Sequence, residues 1–170
     1  VMIYFVIRYR RSKHPDPVDI RDNLNLEVVW TVLPTLIALT MFWVGWQSYI
    51  GLRDVPEDAL EISVAGQMYS WVFMYPNDKE TENEVVVPLG KAVKFNIESW
   101  DVLHSFSIPS FRIKVDAVPG MPTYAWFMAD KVGEYDIFCT EYCGVAHADM
   151  LAKLRIVPEQ EYLAWLETEE

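Results

Sequence analysis

Twenty-five consecutive residues, Val28 to Leu52, carry no charged side chain. At about 1.5 Å of rise per residue a helix of that length crosses a hydrocarbon core of roughly 30 Å, so a transmembrane helix is predicted over 28–52. Trp30, Trp43, Trp46 and Tyr49 supply amphipathic rings of the kind found at membrane interfaces. Pro34 would fall in the first two turns, where a missing amide costs least. The overall composition, 52% hydrophobic with 23% charged, is the average of this segment and a polar remainder.

The flanks orient the helix. Arg8, Arg10, Arg11, Lys13 and Arg21 precede it, and Asp54, Glu57, Asp58 and Glu61 follow it with only Arg53 opposed. By the positive-inside rule, 8–27 is a cytoplasmic basic segment and the C-terminal part lies outside. Outside is the periplasmic face of a bacterial inner membrane or the intermembrane-space face of a mitochondrial one. The apolar run Val1–Ile7 is too short to span a bilayer. It reads as the tail of a first transmembrane helix, truncated or absent, which would make 28–52 the second helix of a hairpin; the other reading is a short interfacial anchor. Because the basic residues follow this run, it is not a signal peptide. Residues 1–53 together form a membrane anchor.

After the anchor the period changes. Leu60–Ala65, Trp71–Tyr75, Glu84–Val87, Ala92–Ile97, Tyr124–Met128 and Met150–Val157 are short, rich in β-branched and aromatic residues, and separated by the turns at Pro76, Pro88 and Pro119. Such spacing predicts an all-β Greek-key sandwich or barrel over 54–158. Pro158 opens a short helix, and 159–170 form a C-terminal helix and tail.

Between the last two strands lies Cys139-Thr-Glu-Tyr-Cys143-Gly-Val-Ala-His147-Ala-Asp-Met150, with His104 further upstream. Cys139 closes one strand and Met150 opens the next. Two thiolates, a thioether and imidazoles form a soft donor set that selects copper, whereas zinc rarely recruits methionine. Taken singly, Cys-x3-Cys would be a disulfide or two small buried hydrophobes, and Met150 core filler. Those readings require that both cysteines and two of the three histidines fall into one ligand pattern by accident.

The segment Asp101-Val-Leu-His-Ser-Phe-Ser-Ile-Pro109 through Gly120, the Cys139-to-Met150 pattern and Glu27-Val-Val-Trp-Thr-Val-Leu-Pro34 together resemble subunit II of haem-copper respiratory oxidases. The resemblance covers about residues 20–165. It implies a cupredoxin-like barrel holding a dinuclear CuA centre. Cys139 and Cys143 would bridge two copper ions, His104 and Met150 would complete one, and His147 with the backbone carbonyl of Glu141 the other. The Glu141 side chain would reach a magnesium ion shared with the large subunit. Glu27 would lie near the entrance of a proton pathway; otherwise it is a carboxylate favoured at a helix start. Lys114 and Asp116 would lie near a water and proton exit route; otherwise they are a solvated strand-end pair. Haem and CuB would belong to subunit I.

The family's surface tryptophan over the copper, part of a Gly-x-Gln-Trp-x-Trp cluster, is replaced here by Gly66-Gln-Met-Tyr-Ser-Trp71. Electrons would therefore arrive at Tyr69 or Met68, with Trp71 as the later aromatic. Residues 53–170 hold 21 acidic and 9 basic side chains, a formal charge of −12, against +1 for residues 1–52. Such a domain disfavours nucleic acid and steers a cationic donor, cytochrome c or another c-type haem protein, alone or within a supercomplex. Asp101, near His104, is a candidate docking carboxylate. The function implied is acceptance of electrons from that donor and their passage to haem in a terminal oxidase that reduces oxygen and pumps protons. Alternatives are the CuA subunit of a nitric oxide reductase, a quinol-oxidase subunit with a relic barrel, which would have lost ligands, and a copper carrier, which would need no spanning helix.

Overall fold

Asn23 starts the long helix: its side-chain oxygen accepts from Leu26 N–H at 3.1 Å and its carbonyl accepts from Glu27 N–H. The computed structural model of this chain describes residues 1–16, 19 and 21–168. Positions 17, 18 and 20 of the expected basic segment, and 169 and 170 of the expected tail, lie outside the described residues. Two units are distinguished, Val1–Gln47 and Ser48–Glu170.

The first unit holds α1 (Met2–Arg8), which takes up the N-terminal apolar run, and, after the basic segment, most of α2 (Leu24–Arg53). Among the described residues α2 is the one helix long and apolar enough to cross a membrane. It begins four residues before the predicted 28–52, because the Asn23 cap sets its start rather than the last charge. Glu27 therefore belongs to the first helical turn, not to the segment preceding the helix. Pro34 is correspondingly not in the first two turns: it lies inside the helix, where it withholds one N–H from the ladder. Thr35 and Thr40 mask their hydroxyls by donating to the carbonyls of Thr31 and Leu36, one turn back.

Among the described residues, the second unit is a two-layer sandwich of ten strands. They are β1 (Leu60–Gln67), β2 (Ser70–Met74), β3 (Glu80–Glu82), β4 (Glu84–Pro88), β5 (Ala92–Ser99), β6 (His104–Ile108), β7 (Ile113–Ala117), β8 (Thr123–Met128), β9 (Gly133–Cys139) and β10 (Leu151–Val157), followed by α3 (Glu159–Leu166). One sheet runs β3-β2-β1-β5-β8 and the other β4-β10-β9-β6-β7. Neighbours are antiparallel except β1 with β5 and β4 with β10. Between the layers Phe106 is ringed edge-on by Trp71, Phe95 and Phe73 at centroid distances of 5.1, 5.3 and 6.3 Å.

The six predicted strands recur as β1, β2, β4, β5, β8 and β10, with ends shifted by up to two residues. β3, β6 and β7 were not among the predicted strands. β6 is buried throughout although it contains two serines, because Lys114 donates to the Ser105 hydroxyl and the Ser107 hydroxyl donates to the Ile113 carbonyl. At the C-terminus Pro158 is the residue before α3 rather than its first residue.

Candidate metal centre

Two strands and one loop deliver the donor atoms. β9 ends at Cys139 and β10 begins at Leu151, so the intervening loop joins adjacent antiparallel strands paired from Leu151 with Phe138 onward. β6 lies on the other side of β9, with Phe106 opposite Cys139, and this register carries His104, the first residue of β6, to the same end of the sheet. The loop is pinned at its start, where Thr140 N–H donates to Ser105 O, and at its end, where Cys139 N–H donates to Met150 O. A 3-10 turn, His147–Asp149, directs His147 back toward Cys143.

The sulfurs of Cys139 and Cys143 are 3.9 Å apart and both cysteines are free. A disulfide needs about 2.05 Å, so these thiols are gathered without being joined. Around Cys139 Sγ stand His104 Nδ1 at 3.8 Å and the Glu141 carbonyl oxygen at 3.3 Å. Around Cys143 Sγ stand His147 Nδ1 at 3.5 Å and Met150 Sδ at 3.7 Å. The donor atoms of His104, Cys139 and Cys143 all lie within 4.8 Å of one another. Thus all six atoms singled out in the sequence converge on one pair of sulfurs. Two thiolates with imidazole, thioether and carbonyl donors make a set that fits soft or borderline copper. Burial, reinforced by the neighbouring Cys139 thiol, pushes the Cys143 thiol up from its ordinary pKa.

Close packing holds the imidazole of His104, which is fully buried. A Cβ on Gly66 would stand 3.1 Å from both His104 Cδ2 and Trp71 Cζ3, so glycine lets the main chain of β1 approach the ring. Trp71 meets the same imidazole edge-on at 6.0 Å. Asp101 accepts from His104 Nε2 at 2.8 Å, from Met68 N–H at 2.7 Å and from Val102 N–H at 2.6 Å. Burial alone would raise its pKa, but the bonds from His104, Met68 and Val102 prevail and hold the carboxyl below its ordinary value.

The other expected residues divide. Tyr69 is half-buried and leans on the ligand loop at Gly144, while Met68 is exposed beside it. Trp71 presents nothing to a partner protein at the surface: its ring is 0% exposed and packs behind His104, its indole N–H without an acceptor among the described residues. β2 is buried from Ser70 to Phe73, and the indole lies behind His104, inward of Tyr69, as a later aromatic would. Lys114 and Asp116 form an exposed 3.5 Å ion pair on β7, with Lys114 also reaching Ser105. Sequence reasoning missed the packing roles of Gly66 and Gly144. The glycine directly after Cys143 was the available signal.

An apolar spanning helix joined to a cupredoxin-like sandwich, with a soft-donor site at one end of its sheet, defines a membrane-anchored metalloprotein of the copper class. The family model for the cytochrome c oxidase subunit II transmembrane domain matches residues 1–47, and that for its periplasmic domain matches residues 75–157. The alternative cytochrome c oxidase subunit 2 of Bradyrhizobium diazoefficiens is 32% identical over 98% of this chain and 71% of its own length. The crystal structure of the periplasmic domain of cytochrome oxidase subunit II of Bradyrhizobium japonicum superposes with a TM-score of 0.65 at 33% identity, covering 67% of this chain and 95% of that one. A chain in the cryo-EM structure of a heme-copper terminal oxidase dimer gives 0.61 at 25% identity, covering 78% and 99%.

The chain belongs to the cytochrome c oxidase subunit II family. It is an electron-input subunit of a respiratory oxidase, part of an oxidoreductase complex, and the family implies that it binds copper.

Proposed function

We propose that this chain accepts electrons singly from a c-type haem donor and hands them to haem in the large subunit of an oxygen-reducing, proton-pumping oxidase. The observation that carries this reading is the gathering of four further donor atoms around two unjoined thiols. Cys139, Cys143, His104, Met150, His147 and the Glu141 carbonyl would together hold two copper ions. When bound, the pair supplies a one-electron centre whose unpaired electron is spread over both metals and sulfurs, so that bond lengths change little.

The residues of this chain do the rest. Strands β6, β9 and β10 fix the donors from both sides of the loop, which keeps reorganisation small. Burial of Cys139, Cys143, His104 and Met150 excludes water from the sulfurs. Tyr69, resting on the loop beside Cys143, is the contact through which the donor's electron would arrive. The Glu141 side chain is left for magnesium at the subunit interface, and Glu27, in the first turn of α2, for the proton-pathway entrance. Lys114 and Asp116 would border the exit route. The acidic balance of residues 53–170 supports a basic-faced donor and, with the basic segment before α2, a sandwich on the periplasmic or intermembrane-space side, with α2 in lipid beside subunit I.

The test is copper per chain and electron paramagnetic resonance on the purified oxidase complex. Two coppers sharing one unpaired electron, both lost in Cys143→Ser, are expected. One copper or none in a folded wild-type chain would sink the reading and favour a structural subunit with a relic site.

A further inference from the structure

Asp101 lies at the bend between β5 and β6, and its two oxygens serve different masters. Oδ1 accepts the His104 Nε2 proton at 2.8 Å and the Val102 amide at 2.6 Å, while Oδ2 accepts the Met68 amide at 2.7 Å. Met68 and Tyr69 form the turn between β1 and β2, the one that leans on the ligand loop. We propose that Asp101 is a positioning residue, a carboxylate latch that fixes the tautomer and orientation of His104 and ties the turn at Met68 and Tyr69 to it. The inference rests on the copper reading above and adds to it a role for a residue that touches no metal.

Each part follows from donor and acceptor chemistry. A carboxylate is acceptor-only, so the imidazole nitrogen facing it must carry the proton. That leaves the lone pair on Nδ1, the nitrogen directed toward Cys139 Sγ. Gly66 and Trp71 confine the ring, and Asp101 holds its far edge. The bend is itself held, since the Ser99 hydroxyl donates to the Val102 carbonyl and the Trp100 amide donates to Gly66 O. A docking charge, by contrast, should point its free oxygens at solvent. The side chain of Asp101 is only 27% exposed, and both oxygens are engaged within the chain. Carboxylate partners of metal-bound histidines raise ligand basicity, and their loss commonly lowers metal affinity about 10–100-fold.

The discriminating variant is Asp101→Asn, which keeps size and removes one acceptor. Its single oxygen can serve His104 or Met68; its amide would then face the remaining N–H, donor against donor. Asp101→Ala removes both links. Three readouts apply: nitrogen NMR of the His104 ring in the copper-free full chain in detergent, the paramagnetic resonance of the loaded oxidase complex, and the salt dependence of KM for a reduced soluble c-type cytochrome. The wild type is expected to show a single Nε2–H tautomer. Asp101→Ala should mix the tautomers, lower copper affinity about 10–100-fold and alter the resonance, and Asp101→Asn should fall between. An unchanged tautomer and resonance, with only the salt dependence of KM weakened, would overturn the proposal and make Asp101 a docking charge. If Asp101→Ala does not fold, the near-isosteric Asp101→Asn decides. Failure of the wild type to bind copper would sink the copper reading alone, because the copper-free NMR still reports the Asp101 to His104 link.

Discussion

Tyr69 occupies the space that a side chain on Gly144 would need: a Cβ at 144 would stand 2.5 Å from the phenol oxygen and 3.1 Å from Cε1. The contact joins the β1–β2 turn, on one sheet, to the ligand loop that leaves the other. Gly144 also has φ of +140°, a conformation that side chains rarely adopt.

Gly144→Ala should therefore cost about 1–3 kcal/mol and loosen the ligand loop. Tyr69→Phe in the same chain, by removing the oxygen, should restore part of the loss but not the part due to φ. Thermal unfolding of the four chains of this cycle, with copper content alongside, checks the coupling. Purely additive effects would mean that the two residues do not press on each other.

Met150 is fully buried beside Cys143, so a role in the core and a role as ligand are separable. Met150→Leu conserves volume and should change stability by less than about 1.5 kcal/mol. The thioether is nevertheless lost, and the copper resonance and reduction potential should move. An unchanged spectrum would reduce Met150 to core filler.

Tyr75, the residue after β2, anchors the sandwich to β4. Its hydroxyl donates to Val86 O at 3.0 Å and accepts from Val86 N–H at 2.8 Å. Tyr75→Phe strands both backbone groups in the core and should destabilise by about 1–3 kcal/mol. Burial pushes the Tyr75 pKa well above its ordinary value, so the unfolded chain ionises there first. The stabilisation is complete below about pH 10 and declines above it by up to about 1.4 kcal/mol per pH unit. Urea unfolding between pH 8 and 11 should show a steeper alkaline loss for the wild type than for Tyr75→Phe; parallel curves would contradict the assignment.

Lys79 clasps the C-terminal helix. Its ammonium donates to the carbonyls of Trp165 at 3.2 Å and Thr168 at 2.7 Å, and lies 4.5 Å from the Trp165 ring centroid. The Trp165 carbonyl belongs to the last turn of α3, where the helix dipole favours a cation, and Thr168 lies just beyond it. Lys79→Met keeps the apolar stem and should cost about 1 kcal/mol, read as faster amide hydrogen exchange confined to α3. Protection unchanged in α3 would mean that packing of Tyr162 and Trp165 suffices.

The long apolar helix and the thiol, thioether and imidazole cluster proposed to hold copper were legible in the sequence, the first as an uncharged run and the second, His104 apart, at short spacing. An uncharged run long enough to cross lipid has few alternatives, and Cys139, Cys143, His147 and Met150 share one loop. Six strands showed through their apolar or β-branched runs. β6 did not, since it buries two serines whose partners come from elsewhere in the fold, and β3 is only three residues long; β7, Ile-Lys-Val-Asp-Ala, carried the alternation of a half-buried strand and was readable though not predicted. The start of α2 was misplaced because the Asn23 cap, not the last charge, sets it, and this moved Pro34 from the helix start to its interior.

Which way a side chain faces was decided by the tertiary structure. Trp71 and Tyr69 are two residues apart in one motif, yet the sandwich buries the first behind His104 and leaves the second on the ligand loop. The sequence placed Asp101 near His104 but could not say whether its charge turned outward to a partner or inward to the ligand. That depends on the register of β6 against β9 and on the approach of the β1–β2 turn, both set by contacts between residues far apart in the chain. Which side chains offer soft donor atoms is a property of side-chain chemistry and could be read locally. Ligand orientation is a property of packing, and only the folded chain brings Gly66, Met68, Asp101 and His104 together.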